Sequence, residues 1–564
     1  MAWIGGIFSG VSVSQEEVRN KLDLMMETAC PPNGSSTIAH PEYVCSRLDQ
    51  SHTCTLVRAS LPIEGTQTQH VHTGHEQRLG LIYDGYFYDS EGASFNLSQV
   101  QRRINGTSAE SLVRLLARFP CGLAQKVSQA LTDLDGDYAL AVSDGDRIVI
   151  SRNPLGTRPL YFAEDERFSA FASNKKPLWK MGLDEVRPLR AATLATLHSG
   201  GIGIQEASRL NEGESNVISM AEAVDEYEQA LCSAVRKRLA EMNHIPRVGV
   251  LLSGGVDSCL IAKLVHNIAS GLGMETITYT VGLPDSPDVS SAREFAEAFG
   301  MKHEVEILSI GVIERYIPEV IEAIEDSDFV QIETGIGIYA AVDMASQDGV
   351  RVIFSGQGAD EQWGGYSWYP RVLGKDGRQE LDRRMWDDFA RADVETLDRE
   401  NKIAMAYGVD LLFPYLDSEV VRVAMSVASE LKVVSEDDCL GKHPHRQLAM
   451  KVGVPEKYSN RKKLAIQHGT GIHGVLDEIA KKNGFDPALV KDIGFKNEQI
   501  TNLRMGSSAR YGYRYTEKKL WQVPQHVQLF LHALAYRQGL LDKSTRDRVG
   551  HLLEKARLPY GTSV

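Results

Sequence analysis

The sequence predicts an α/β protein of two domains, the first rich in short strands and the second built on a parallel sheet with helical crossovers. Three observations lead there. At 564 residues the chain exceeds what one hydrophobic core usually supports. Up to about Gln205 the β-rich runs are short and separated by Gly, Asp and Ser turns. From Ala221 onward, long amphipathic helices alternate with short apolar strands, the pattern of helical crossovers between parallel strands. The polar stretch 206–219 reads as the linker, giving domains 1–205 and 206–564.

In the first domain the expected strands are Thr55–Val57, Leu79–Tyr83, Tyr138–Val142 and Arg147–Ile150. Only Ser108–Arg118 and the segment near Val127–Leu131 read as helical. In the second, strands are expected at 247–252, 276–281 and 351–354, with ligands at their C-terminal ends. Hydrophobic content of 43% and charged content of 24% are ordinary for a soluble globular chain. No apolar run is long enough for a bilayer, and the apolar start to Ser14 has no basic residue before Arg19, so a cytoplasmic location is expected. Seven cysteines without a CxxC pair argue for reduced thiols and against a zinc ribbon or a disulfide frame. A net charge of −14 disfavours a nucleic-acid partner.

Ser253-Gly254-Gly255-Val256-Asp257-Ser258 directly follows the apolar run Val248–Leu252. Two glycines let backbone N–H groups close around phosphate oxygens, and a helix beginning near Ser258 turns its positive end to the same spot. The Lys-Ser/Thr ending of a Walker A loop is missing. The loop resembles that of ligases that split ATP into AMP and pyrophosphate, and three later blocks extend the resemblance to the asparagine synthetase superfamily nearly to the end of the chain. Thr278–Gly282 with Ser286-Pro287-Asp288 and Ala292-Arg293 is similar to the family's second strand, so Val281 and Gly282 are implied to border adenine. Phe354–Tyr366 is similar to its second signature. Gly356 and the other small residues there admit phosphate, while Asp257 and Asp360 offer hard oxygen ligands for Mg²⁺ bound with ATP. Asp398–Asp410 is similar to the block bordering the acceptor pocket, with Arg399 and Glu400 as candidates. In Lys442-His443-Pro444-His445-Arg446 and Arg461-Lys462-Lys463, the resemblance implies that Lys463 follows the moving charge and that Lys442 and Arg446 neutralise pyrophosphate.

The first domain resembles the glutaminase domain of asparagine synthetases through Gly5–Phe8, Tyr83–Tyr88, Leu134–Ala139, Arg152–Tyr161 and Phe171–Asn174. An N-terminal-nucleophile hydrolase fold, two antiparallel sheets between helices, is implied. That chemistry needs a cysteine as first mature residue. Here Gly5 stands in its place, and Asp84 replaces an Asn that helps hold the oxyanion, so a glutaminase-dead domain is expected.

Further departures bear on the second half. Gln357 occupies a position where the relatives carry Glu or Tyr, and an amide is no base, so Glu400, Asp398 or Glu395 must take the proton. Glu333 falls where asparagine synthetases place a carboxylate-binding Arg, so it is expected to repel the α-carboxylate of free aspartate or to hold a substrate ammonium instead. His70, His72 and His75 are read as a polar loop, Cys259 as a packed thiol, and the basic-aromatic run 510–515 as a lid or peptide surface.

The expected activity is that of an ATP-dependent, AMP-forming carboxylate–amine ligase making an amide or lactam without glutamine, as in natural-product and antibiotic biosynthesis. Ammonia-dependent asparagine synthesis is the second reading, and a loop of this type in a nucleic-acid-modifying enzyme the third. Expected partners are ATP and a small molecule or peptide carrying carboxylate and amine, with no nucleic acid and no membrane; a second copy of the chain is a candidate.

Overall fold

The computed structural model describes residues 2–9, 13–29, 42–48, 53–60, 72–73, 79–88, 108–207, 219–242, 244–495 and 524–558. His70, His75, the 510–515 run and nearly all of the expected linker lie outside them.

Two six-stranded antiparallel sheets make up the N-terminal part. Strand Ala2–Ser9 sits inside the first, between Thr53–Ser60 and Phe168–Ala172. Its side chains alternate as a pleat requires. Ile4 and Phe8 point to the core shared with Ile82, Ala141 and Ile150 of the second sheet. Trp3 and Ile7 point the other way, onto Val18, Leu22 and Met25 of helix Gln15–Ala29. Helices Ser108–Ala117 and Leu123–Asp133 cover the outer face of the second sheet. The result is the helix–sheet–sheet–helix sandwich of N-terminal-nucleophile hydrolases. Helix Gln15–Ala29 corrects the expectation of only two helices; its apolar residues at 18, 22, 25 and 26 carry the helical spacing that the strand-rich reading passed over.

The C-terminal sheet has five parallel strands in the order Lys302–Ile307, Glu275–Gly282, Arg247–Leu251, Val352–Phe354, Asp410–Leu412. Helices cover both faces, so alternate residues of one strand enter different cores. Val352 and Phe354 pack with Val248 and Val250 on one side, and Ile353 with Ile277 and Tyr279 on the other. The expected strands at 247–252, 276–281 and 351–354 are present. The two edge strands were missed because one alternates charged residues (Lys-His-Glu-Val-Glu-Ile) and the other is three residues long.

Buried ion pairs join the two parts. Arg158 meets Asp410 at 2.7 Å with both side chains at most 1% exposed, and Tyr86 donates to the other oxygen of Asp410 at 2.6 Å. Arg238 bridges Asp137 and Asp417 at 3.0 and 2.7 Å.

Candidate active site

Central strand Arg247–Leu251 delivers the chain into the glycine loop at the C-terminal edge of the sheet. Gly254 has φ of +69°, and a Cβ there would lie 2.4 Å from Ser291 Oγ, so only glycine fits. The Ser258 hydroxyl is turned into the loop: it accepts from Ser253 N at 3.1 Å and donates to Gly255 O at 3.1 Å. No side chain caps helix Val256–Gly271, which leaves its first N–H groups for an anion. Ser253, Gly255 and Asp257 line a small pocket with Lys442, Arg446, Arg461, Lys462 and Lys463. Five cations around one loop suit a polyphosphate.

A larger, more apolar cavity adjoins it, lined by Leu251, Tyr279, Val281, Ile338 and Ala341 at one side and Gly356, Gln357, Asp360, Glu400 and Thr470 at the other. Val281 lies in this lining. Gly282 is not in the lining; it is the point where the strand turns towards Ser286.

Lys442 is the hub. Its ammonium, 1% exposed, lies 2.7 Å from both oxygens of Asp257 and 2.6 Å from Asp360 Oδ1. The glycine pair of the second signature makes room for it, since a Cβ on Gly365 would lie 1.9 Å from Lys442 Cε. Lys463, 36% exposed, reaches Asp360 Oδ2 at 2.7 Å. His445 Nε2 stands 3.1 Å from Asp257, its other nitrogen 2.9 Å from the Tyr227 hydroxyl. Burial would raise both carboxyls, but Lys442 and the cations behind it outweigh that and hold Asp257 well below, and Asp360 below, the usual range.

Two anionic carboxylates converging on one cation are a fitting donor set for Mg²⁺. Among the described residues no third His, Cys, Asp or Glu completes a metal cluster. Such a pair suits an ion that takes its remaining ligands from phosphate and water.

Arg446 lines the basic pocket as a fastened group. Its guanidinium donates to the carbonyls of Gly441, Leu440, Ser459 and Arg461, so it fastens two loops together and is not free to swing onto pyrophosphate. Arg461, unassigned in the sequence, binds Ser253 O at 2.9 Å and Asp288 at 2.8 Å. It and His445 were legible only as neighbours of assigned residues.

Of the three acids proposed to take the proton, only Glu400 faces the cavity. Asp398 accepts from the Tyr161 hydroxyl at 2.5 Å and pairs with Lys402 at 3.2 Å, and Glu395 pairs with Arg391 at 3.4 Å. Glu400 is fully buried, bonded by Gln357 Nε2 and by Ser355 Oγ at 3.2 Å. Burial raises it to about 7 against the opposing pull of Arg399 and these two donors. Arg399 donates to Gln331 at 2.8 Å and stands 3.6 Å from Glu400. Glu333 is buried one helical turn before the cavity-lining Gly337, with Oε1 2.8 Å from His473 and Oε2 without a partner. Burial pushes it to about 8. It is therefore mostly protonated at neutral pH, which removes much of the repulsion expected towards a substrate carboxylate.

In the N-terminal part, Gly5 lies mid-strand, paired with Val57 and Ala172. A Cβ on it would lie 2.4 Å from the Trp3 ring, whose indole N–H is held by Asn174 Oδ1 at 2.7 Å. Asp84 accepts from Ala2 N at 2.7 Å, fastening the same strand.

A parallel sheet whose central strand ends in a phosphate loop, faced by two aspartates and a lysine relay, defines an ATP-pyrophosphatase domain, here beside a glutaminase-type sandwich. The asparagine synthase family profile matches residues 226–380 and 370–533, and the glutamine amidotransferase domain profile residues 57–180. The chain belongs to the asparagine synthase family. A Methanocaldococcus jannaschii protein named as a glutamine-hydrolyzing asparagine synthetase is 30% identical over 64% of this chain and 74% of its own. Asparagine synthetase B of Escherichia coli is 26% identical over 65% and 67%, and the asparagine synthetase of Gallus gallus 27% over 63% and 66%. Among the described residues no helix is long and apolar enough to cross a membrane.

Proposed function

We propose that the chain is an ATP-dependent, AMP-forming carboxylate–amine ligase that forms an amide without hydrolysing glutamine, with 1–205 a glutaminase-like domain lacking its nucleophile and 206–564 the synthetase. The observation that carries this is Gly5, an interior strand residue beneath the Trp3 ring where the family's cysteine would stand. An amine already present in the substrate, giving an intramolecular amide or lactam in natural-product biosynthesis, accounts for both the lost nucleophile and the replacement at Gln357. The relatives are named as glutamine-hydrolyzing asparagine synthetases, which favours asparagine as the product of a second reading; with glycine at position 5 in place of the cysteine, that reading takes its nitrogen from free ammonia.

In this reading the basic pocket holds the β- and γ-phosphates, and the substrate carboxylate attacks the α-phosphorus, breaking the bond to the β-phosphate so that acyl-adenylate forms and pyrophosphate leaves. Asp257 and Asp360 would hold Mg²⁺, which when bound offsets polyphosphate charge. Lys442 keeps the two carboxylates together and anionic. The amine then attacks the acyl carbon; Glu400, poised near neutrality, takes the proton, Lys463 supports charge building on oxygen, and the acyl C–O bond breaks to release AMP and leave the amide.

ATP–pyrophosphate exchange across a panel of carboxylates, with AMP and ADP resolved and glutamate release from glutamine assayed in parallel, tests the proposal. Carboxylate-dependent exchange, AMP as product and no glutamate are expected. ADP as product overturns adenylation, and glutamate release overturns the glutamine-independent reading.

A further inference from the structure

We propose that the nucleophile-less N-terminal domain is a positioning element for the proton-accepting centre, gripping helix Asp398–Ala406 so that Glu400 stays seated against Gln357. This rests on the reading of Glu400 given above.

The helix is divided lengthwise between the two parts of the protein. Asp398, Asn401, Lys402 and Met405, at spacings that share one face, turn to the N-terminal domain. Asn401 Nδ2 donates to Thr157 O at 2.8 Å. Lys402 Nζ donates to the Tyr161 hydroxyl at 2.7 Å, and that hydroxyl donates on to Asp398 at 2.5 Å. Lys402 also pairs with Glu325 at 3.0 Å, both side chains 1% exposed. Glu325 in turn accepts the backbone N–H groups of Lys175 and Lys176 at 2.7 and 2.5 Å. Met405 packs on the cluster of Trp3, Ile7 and Met25. The other face carries Glu400 to the cavity.

The chain enters this helix through a π-helical turn, Asp393–Leu397. Asp393 is anchored by Ala191 N at 2.8 Å and by Arg190 at 3.1 Å, with Arg152 at 3.6 Å. A π turn holds one residue more than an α turn and is rare unless held. Relaxing it to α geometry would rotate the following helix by about 100° and take Glu400 away from Gln357. The Arg152–Tyr161 segment therefore sets the register of the helix bearing the base.

Tyr161→Phe and Asn401→Ala test this, with Ser418→Ala as control, because Ser418 bonds Asp135 across the same domain junction at 3.1 Å but away from the helix. Hydrogen exchange of the 393–406 amides is expected to rise about tenfold in the first two, with the 253–260 loop unchanged. The Glu400 carboxyl stretch at about pH 5.5, where it is protonated, is assigned by its loss in Glu400→Gln. That band is expected to shift in Tyr161→Phe and Asn401→Ala alone. Unchanged exchange and band in both, or equal changes in Ser418→Ala, overturn the proposal. Full amide formation by Glu400→Gln would instead sink the role of Glu400 and leave the positioning result standing.

Discussion

Glu400→Gln removes a charge and keeps its shape, so it separates the chemistry of this site from its cost in stability. Glu400 is fully buried and raised from the ordinary 4.5 to about 7. Between those values the folded protein binds more protons than the unfolded chain, so stability falls as pH rises from 4.5 to 7 and stays lower above it. A displacement of this size corresponds to about 3 kcal/mol. Glutamine does not ionise and can still accept from Gln357. The variant is therefore expected to match the wild type near pH ~5 and to exceed it by up to about 3 kcal/mol near pH ~8.5, read by urea unfolding at both. Amide formation, followed by quenched-flow with the best carboxylate of the panel, is expected to fall by about 10²–10⁴. In the wild type that rate should climb about tenfold from pH ~6 to a plateau above ~7, as the carboxylate becomes available. A variant no more stable at the higher pH refutes the destabilised buried carboxylate, and unchanged turnover refutes the base.

Lys463→Met is expected to lower amide formation by about 10²–10³ while ATP still binds, and Lys463→Arg not to restore it, because a planar guanidinium needs more room than an ammonium; a near wild-type single-turnover rate would move the role elsewhere. Asp257→Asn and Asp360→Asn should each abolish Mg²⁺-dependent pyrophosphate release. Asp257→Asn should also lower stability by about 1–3 kcal/mol, since buried Lys442 loses one of its two anionic partners and keeps Asp360; an unchanged unfolding midpoint would contradict the pairing. Free aspartate is expected to support little ATP–pyrophosphate exchange, and that little should decline as pH rises through about 8, where Glu333 ionises. Glu333→Gln should flatten the decline, and robust exchange with a flat profile in the wild type would favour asparagine synthesis.

The glycine loop, the second signature and the family were legible because each is a contiguous run whose backbone geometry demands particular residues: Gly254 for its positive φ, Gly365 for the passage of Lys442. The absence of a cysteine at Gly5 is equally a fact of sequence. What folding alone decided are distances between residues far apart in the chain. Arg446 and Lys442 read alike on one short stretch, yet one is tied to four carbonyls and the other sits between two aspartates. Asp398, Glu395 and Glu400 were three equal acids until the helix was wedged between two cores, which paired the first two with cations at 3.2 and 3.4 Å and buried the third at the cavity, bonded by Gln357 and Ser355 with Arg399 at 3.6 Å. A sequence states which groups can ionise or donate, but burial and partner distance set which of them do, and both are properties of the packed chain.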